Sequence, residues 1–308
     1  MSVEPAERLL ERRPPGLAVA RPGLLRRNST RVLALRAVVY LLAVTLGLIF
    51  MAPFLFAVSG SLMSPAELYV IPPRWIPSTL LWENYAKVWS MLPWPRYVRN
   101  TLIITVVAMA GQIVSCSLVA YGFARFRFPG RNLFFIILLG TMIMPGEVTT
   151  IPQFLLFKGL GWTNSFLPLL VPSFFGVSAF TIFLLRQFFL TLPRDLDDAA
   201  RIDGAGTLRI LLQLLLPLSK PALATVAILG FIHHWNDFFM PLIYLSSDSL
   251  YTVALGLNYF RSVSTEAGPP MAHLLMGASI IVTIPIIVVF FSLQRYFVQG
   301  IVMTGIKA

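Results

Sequence analysis

Asp198-Ala199-Ala200-Arg201-Ile202-Asp203-Gly204-Ala205-Gly206-Thr207, followed by the leucine-rich run from Leu208 to Leu216 and closed by Pro217, opens as a polar island in an apolar chain. Asp195, Asp197 and Asp198 sit where the positive end of a helix dipole favours carboxylates, and Pro193 suits a first helical turn. The Asp203-Gly204-Ala205-Gly206 step breaks the run, and Gly204 can take the left-handed backbone that a tight turn requires. Thr207 is placed to cap a second helix with an apolar face of Leu208, Leu211, Leu212 and Leu215, at spacings of three and four. Pro217 and Pro221 separate that helix from the next apolar run. The stretch therefore predicts a compact helix-turn-helix elbow suited to a cleft on another protein.

Around this elbow the composition belongs to a membrane. Apolar residues make up 57% of the 308 positions and charged ones 12%, about half the ~25% usual in soluble proteins. Six runs, over 37–59, 101–123, 132–151, 166–185, 221–244 and 273–293, approach the ~20 residues that cross ~30 Å of hydrocarbon. The expected fold is an all-α membrane protein with six transmembrane helices and a cytoplasmic helix-turn-helix loop over 192–220. Residues 1–31 read as an Arg- and Pro-rich, partly disordered cytoplasmic tail, and 32–308 as one transmembrane domain. With both termini inside, eighteen of the 24 lysines and arginines fall on the elbow's face. Six, at Arg74, Lys87, Arg96, Arg99, Lys158 and Arg261, fall on the other. This positive-inside bias places the elbow in the cytoplasm. It also explains the +11 net charge as topology rather than a nucleic-acid footprint.

Other features place the connections. Trp75, Trp82, Trp89, Trp94 and Trp162 fall in outward segments, where indole rings favour the interface. The patch over 85–91 is amphipathic and is expected along the membrane surface. Pro145 and Gly146 predict a kink or break in the third run, tolerated where protein or a wet cavity covers it.

Polar residues inside the runs are the candidates for a solute path: Gln112 and Ser115 in the second, Asn236 and Asp237 in the fifth. An ionised carboxylate in hydrocarbon costs about 2.5–3.5 kcal/mol, so Asp237 should face protein or water. Helix packing or capping accounts for Asp237 and Asn236 equally well. His233 and His234, adjacent on a helix, project about 100° apart and are not expected to share one site, so no metal site is assigned. Cys116 lies in an apolar run and reads as a small hydrophobe. No lysine follows a glycine, so the chain carries no Walker A loop.

The elbow's spacing resembles the EAA loop of ABC importer permeases: Glu-Ala-Ala, three residues, Gly, nine residues, then Ile-x-Leu-Pro. Ala199, Ala200, Gly204, Leu216 and Pro217 match, and Asp198 and Leu214 are conservative replacements. Further blocks extend the likeness from about Val32 onward. They include Asn84-Tyr85, Ala120 to Arg125, Phe128-Pro129-Gly130, Leu185 to Phe189, Trp235 to Phe238 and Gln294 to Gly300. Together they resemble the maltose-type second permease subunit of type I ABC importers.

That resemblance implies a bacterial cytoplasmic (inner) membrane subunit that catalyses nothing itself. ATP and Mg would be bound by two partner ATP-binding cassette ATPases. A second, non-identical permease and an extracytoplasmic solute-binding protein would complete the assembly. Asp198, Ala199, Ala200, Asp203, Gly204, Ala205 and Pro217 would form the ATPase-coupling surface. The solute would be a sugar or sugar derivative, with glycerol-3-phosphate or a phosphodiester as the alternative. An ion-coupled transporter would explain the spans but not the elbow spacing. Gly277-Ala278-Ser279 matches the Gly-x-Ser of an intramembrane serine protease, a pattern that small-residue helix packing also produces.

Overall fold

Pro95, in the first turn of a helix that starts at Trp94, shows why the second run begins earlier than its hydropathy suggests. The computed structural model describes residues 29–266 and 271–305; most of the expected N-terminal tail, residues 1–28, lies outside them. The first elements are α1 (Ser29–Ser61), α2 (Pro65–Leu68), α3 (Glu83–Met91) and α4 (Trp94–Arg125). Two units divide within α1, between Leu55 and Phe56, and every site described below belongs to the second. Asn100 and Thr101, where the hydropathy run fades, are bonded to protein instead of water. Asn100 Nδ2 donates to the Ser249 and Tyr251 carbonyls at 2.9 and 3.0 Å. Thr101 Oγ1 accepts from the Val253 N–H at 2.8 Å. Satisfied in this way, the polar end of α4 continues as helix.

α5 (Arg131–Gly140) and α6 (Gly146–Gly159) form the third run, and the break between them at Pro145–Gly146 bends it by 97°. α7 (Leu167–Leu170) and α8 (Ala179–Thr191) form the fourth, interrupted by a tight turn at Val171–Phe175 and by Gly176 at φ 65°. The elbow comprises α9 (Asp195–Ile202), α10 (Thr207–Ile210) and α11 (Leu216–Leu218), the last two joined by a wider π-helical turn. Thr207–Leu218 meets α12 (Lys220–Asn236) at 81°. α13 (Phe239–Tyr244), α14 (Val253–Glu266) and α15 (Ala272–Gly305) complete the chain. Among the described residues four helices are long and apolar enough to cross a membrane, and up to six if each bent pair is one span.

Trp75, Trp82 and Trp89 are exposed, as an interfacial role requires, but Trp94 is buried. Its Nε1 donates to the Val88 carbonyl at 2.7 Å, so this indole packs α3 onto the start of α4. One core joins α4, α8, the elbow and α12 through Tyr121, Ile182, Leu185, Phe189, Ile210, Leu211, Leu215 and Val226. A second, at the Trp94 end of α4, gathers Val88, Trp94, Tyr97, Trp235, Phe260 and Leu274.

Candidate functional site

The turn of the elbow is set by backbone bonding. The N–H of Gly204 donates to the Arg201 carbonyl at 3.0 Å and that of Ala205 to the Ala200 carbonyl at 2.8 Å. Gly204 sits at φ 80°. This is the paired bonding of a Schellman cap, which needs a left-handed residue and so favours glycine. The three carboxylates lie in the first turn of α9 as expected, while Pro193 precedes the N-cap Arg194. Thr207 does not cap: the N-cap is Gly206, with no side-chain bond.

The buried face of the second arm also differs from the expected leucine stripe. Leu208 and Leu212 are exposed, and Ile210, Leu211 and Leu215 are buried. The π-helical turn over Leu211–Leu215 sets where Leu215 falls. With bonding five residues apart rather than four, Ile210 and Leu215 fall on one side.

At its base the elbow is tied to α4. Arg125 Nε lies 2.8 Å from Asp197 Oδ2, with side-chain exposures of only 3% and 6%. Arg125 Nη2 donates to the Leu192 carbonyl at 3.1 Å, and the Tyr121 hydroxyl donates to the Thr207 carbonyl at 3.2 Å. Asp197 Oδ1 is buried with no hydrogen-bond partner. Neither Arg125 nor Asp197 stood out from the sequence as a site residue.

At its tip the elbow is bare. Asp198, Ala199, Asp203 and Gly204 are exposed, Ala200 and Ala205 half-buried, and Pro217 exposed farther along. Asp198 pairs within α9, its Oδ1 accepting from Arg201 Nη1 at 3.3 Å. Ile202, which the sequence pattern did not mark, is 87% exposed between Arg201 and Asp203. It is the most exposed large apolar side chain of the elbow.

The solute-path candidates separate into two places. Gln112 lines a cavity of about 530 Å³ together with Ser173, Ser178, Phe180, Thr181, Gly230, His233 and His234. Gln112 Nε2 donates to Thr181 Oγ1 at 2.8 Å. Ser115, one turn along, donates to the Ser173 carbonyl at 2.9 Å. Asn236 and Asp237 are not in that wall. Asn236 Nδ2 donates back to the Ile232 carbonyl at 2.8 Å, and Asp237 Oδ1 accepts from the Met240 N–H at 3.2 Å, where α12 gives way to α13.

Contrary to expectation, His233 and His234 line the same cavity. With Val226, Leu229 and Gly230 also in its wall, the cavity borders more than one side of α12. His234 Nε2 is buried there without a partner. Among the described residues no group of three His, Cys, Asp or Glu side chains is gathered as a metal site.

Comparison with known proteins places this geometry. Residues 113–303 match the family described as binding-protein-dependent transport system inner membrane component. The chain is similar to the sn-glycerol-3-phosphate transport system permease protein UgpE of Yersinia pestis bv. Antiqua. Identity is 34% over 261 residues, covering 83% of this chain and 92% of that protein. It is also 34% identical over 233 residues to the arabinooligosaccharides transport system permease protein AraQ of Halalkalibacterium halodurans, covering 75% and 81%. Among solved structures it resembles a chain of a bacterial ABC transporter involved in the import of the acidic polysaccharide alginate. The TM-score there is 0.72 at 26% identity, covering 90% of this chain and all of that one.

Proposed function

Because the chain belongs to the inner membrane components of binding-protein-dependent transport systems, we propose that it is one permease subunit of an ATP-driven importer of a sugar or sugar derivative. The observation that carries this reading is the elbow, bare at its tip and bonded to α4 at its base by the buried Arg125–Asp197 pair. A surface built in this way can receive a push from a partner and pass it on as a rigid-body movement.

The partner is an ATPase, and the full assembly has two ATPase subunits, a second and non-identical permease, and an extracytoplasmic binding protein. ATP and Mg belong to the ATPases; this chain catalyses nothing. Both termini and the elbow lie in the cytoplasm, on the strength of the arginine and lysine bias. Asp198, Ala199, Asp203 and Ile202 meet the ATPase cleft. Ala200, Gly204, Ala205 and Pro217 shape the elbow that carries them.

The solute passes the cavity at Gln112, whose volume lies within the ~300–1,000 Å³ of small-molecule sites. Ser115 positions its wall. Asn236 and Asp237 follow His233 by three and four residues, and so continue the path one turn farther along α12. Among the described residues no lysine or arginine lines the cavity. That favours a hydroxyl-rich solute over glycerol-3-phosphate, whose phosphate would lose water there without gaining a full countercharge.

Gly204→Val tests the reading. No heavy atom lies within 4 Å of a β-carbon built on Gly204, so the substitution acts through backbone strain, at least about 1–2 kcal/mol for a left-handed non-glycine residue. The expected result is normal insertion with loss of uptake and of binding-protein-stimulated ATP hydrolysis by the assembled transporter. Wild-type uptake in that variant would remove the elbow from the mechanism.

A further inference from the structure

A second cavity, of about 420 Å³, opens where the α4–α5 turn meets the entry to the elbow, and it is lined by Arg127, Phe128, Gly130, Arg131, Asn132, Leu133 and Arg194. Three arginines from two distant stretches of chain line it, and among the described residues no carboxylate is in its wall. The guanidinium groups of Arg127 and Arg194 have no hydrogen-bond or ion-pair partner among the described residues. Arg131 is held in place, donating to the Phe126 carbonyl at 3.3 Å and to Asn132 Oδ1 at 3.4 Å. The first turn of α5 opens on the same space, beginning at Gly130 (φ 75°) with no side-chain cap. Its unsatisfied N–H groups add to the positive potential.

A positive-inside bias explains why arginines are on this face. It does not explain why three of them share one concavity with no acidic partner among the described residues. The rim supplies the second clue. Phe128 and Leu133 are exposed at the cavity's edge, and Phe134, Ile136 and Ile137 continue an exposed apolar surface along α5. A phosphate in the cavity would therefore sit at the head of a lipid-facing track.

We propose that this cavity binds the phosphate of an anionic phospholipid, with the acyl chains lying along α5. The inference rests on the cytoplasmic placement of the elbow proposed above. Because Arg194 is the N-cap of α9 and Arg127 and Arg131 flank the α4–α5 turn, the bound lipid staples the elbow's entry to the inner leaflet.

Native mass spectrometry of the intact assembled transporter, titrated with phosphatidylglycerol or phosphatidylcholine, tests it. The wild type should retain phosphatidylglycerol preferentially. An Arg127→Gln, Arg194→Gln double variant should bind it about twenty- to thirtyfold more weakly, since each cation near an anionic lipid contributes roughly fivefold. Arg127→Lys should keep most of the affinity. Equal retention of the two lipids by the wild type, or undiminished phosphatidylglycerol binding by the double variant, overturns the proposal.

Inorganic phosphate forms a further arm. If it displaces phosphatidylglycerol as readily as added phosphatidylglycerol does, the site is one for a soluble anion and the lipid assignment falls. Loss of the ATPase subunits from the double variant in both lipids alike would assign the arginines to a protein contact, and would also overturn it. A membrane-impermeant thiol reagent applied to intact cells carrying Arg194→Cys separates the two levels of inference. Labelling from outside would sink the topology beneath the proposal, whereas an unlabelled site with no lipid preference would sink the lipid proposal alone.

Discussion

Replacing Arg125 with leucine should unseat the elbow, and the size of the effect follows from burial. Asp197 has a side chain only 6% exposed and its one cation 2.8 Å away. The substitution would leave that carboxylate uncompensated at the buried base of the elbow. Breaking a buried pair by removing one partner costs about 3–5 kcal/mol. At about 1.4 kcal/mol for each factor of ten, the ratio of seated to unseated elbow falls by roughly two to four powers of ten. Asp197→Leu should be of similar size, because it strands the guanidinium, whose remaining bond is to the Leu192 carbonyl.

The double variant Arg125→Leu, Asp197→Leu should recover most of the loss, since an apolar replacement of a whole buried pair is often neutral or stabilising. Trypsin reports the unseated fraction through Arg194, Arg201 and Arg209, because cleavage follows the open population when reclosing is fast. In the purified complex, elbow cleavage should rise by at least about a hundredfold in each single variant and return towards wild type in the double. Single variants cleaved at the wild-type rate would show that the pair does not hold the elbow. A double variant as labile as either single would refute the burial argument, since the loss would then not come from a stranded charge.

Two further outcomes are expected. Ile202→Asp should weaken ATPase association by about one to two powers of ten, the equivalent of the ~1.5–3 kcal/mol that full burial of an isoleucine contributes. Co-purification of the ATPase in a salt titration would measure it, and an unchanged yield would deny the contact. At the cavity, Gln112→Leu should raise the KM for uptake of the transported sugar while leaving basal ATP hydrolysis intact. Gly230→Leu should do the same by filling space, since a β-carbon there already comes within 3.7 Å of Gln112 Oε1. An unchanged KM in both variants would move the solute elsewhere.

What the sequence made legible was local. The Gly204 turn, the carboxylates at the head of α9 and the break at Pro145–Gly146 each follow from a few neighbouring residues, whose backbone preferences act at short range. The ion pair at the elbow's base was hidden because Arg125 and Asp197 are remote in sequence, and each alone reads as a solvated cytoplasmic charge. The interruption at Gly176 was hidden for another reason. The run over 166–185 stays apolar through it, and hydropathy does not register the sign of φ. The π-helical turn likewise left the leucine spacing looking α-helical while bringing Leu215 onto the side of Ile210. Ile202 was passed over because an isolated apolar residue in a loop is ordinary until its exposure is known.

The core that seats the elbow extends through Val226 to the wall of the Gln112 cavity, and on the proposed function this continuity is what would couple the two. Ile210, Leu211 and Leu215 of the second arm share one core with Ile182 on α8 and Val226 on α12. Val226 is itself part of the cavity wall, and Thr181, beside Ile182, bonds Gln112 across it. A close-packed core transmits a displacement instead of absorbing it. On the proposed function, movement of the elbow would be passed through that core to α8 and α12, which line the cavity together with Gln112 of α4. The buried pair fixes the elbow's foot to α4, while the shared core carries its motion to the helices opposite. A lever needs both a fulcrum and an arm. On the proposed function the elbow would have its arm at Ile202 and its fulcrum at Arg125–Asp197, so that its tip and base act together.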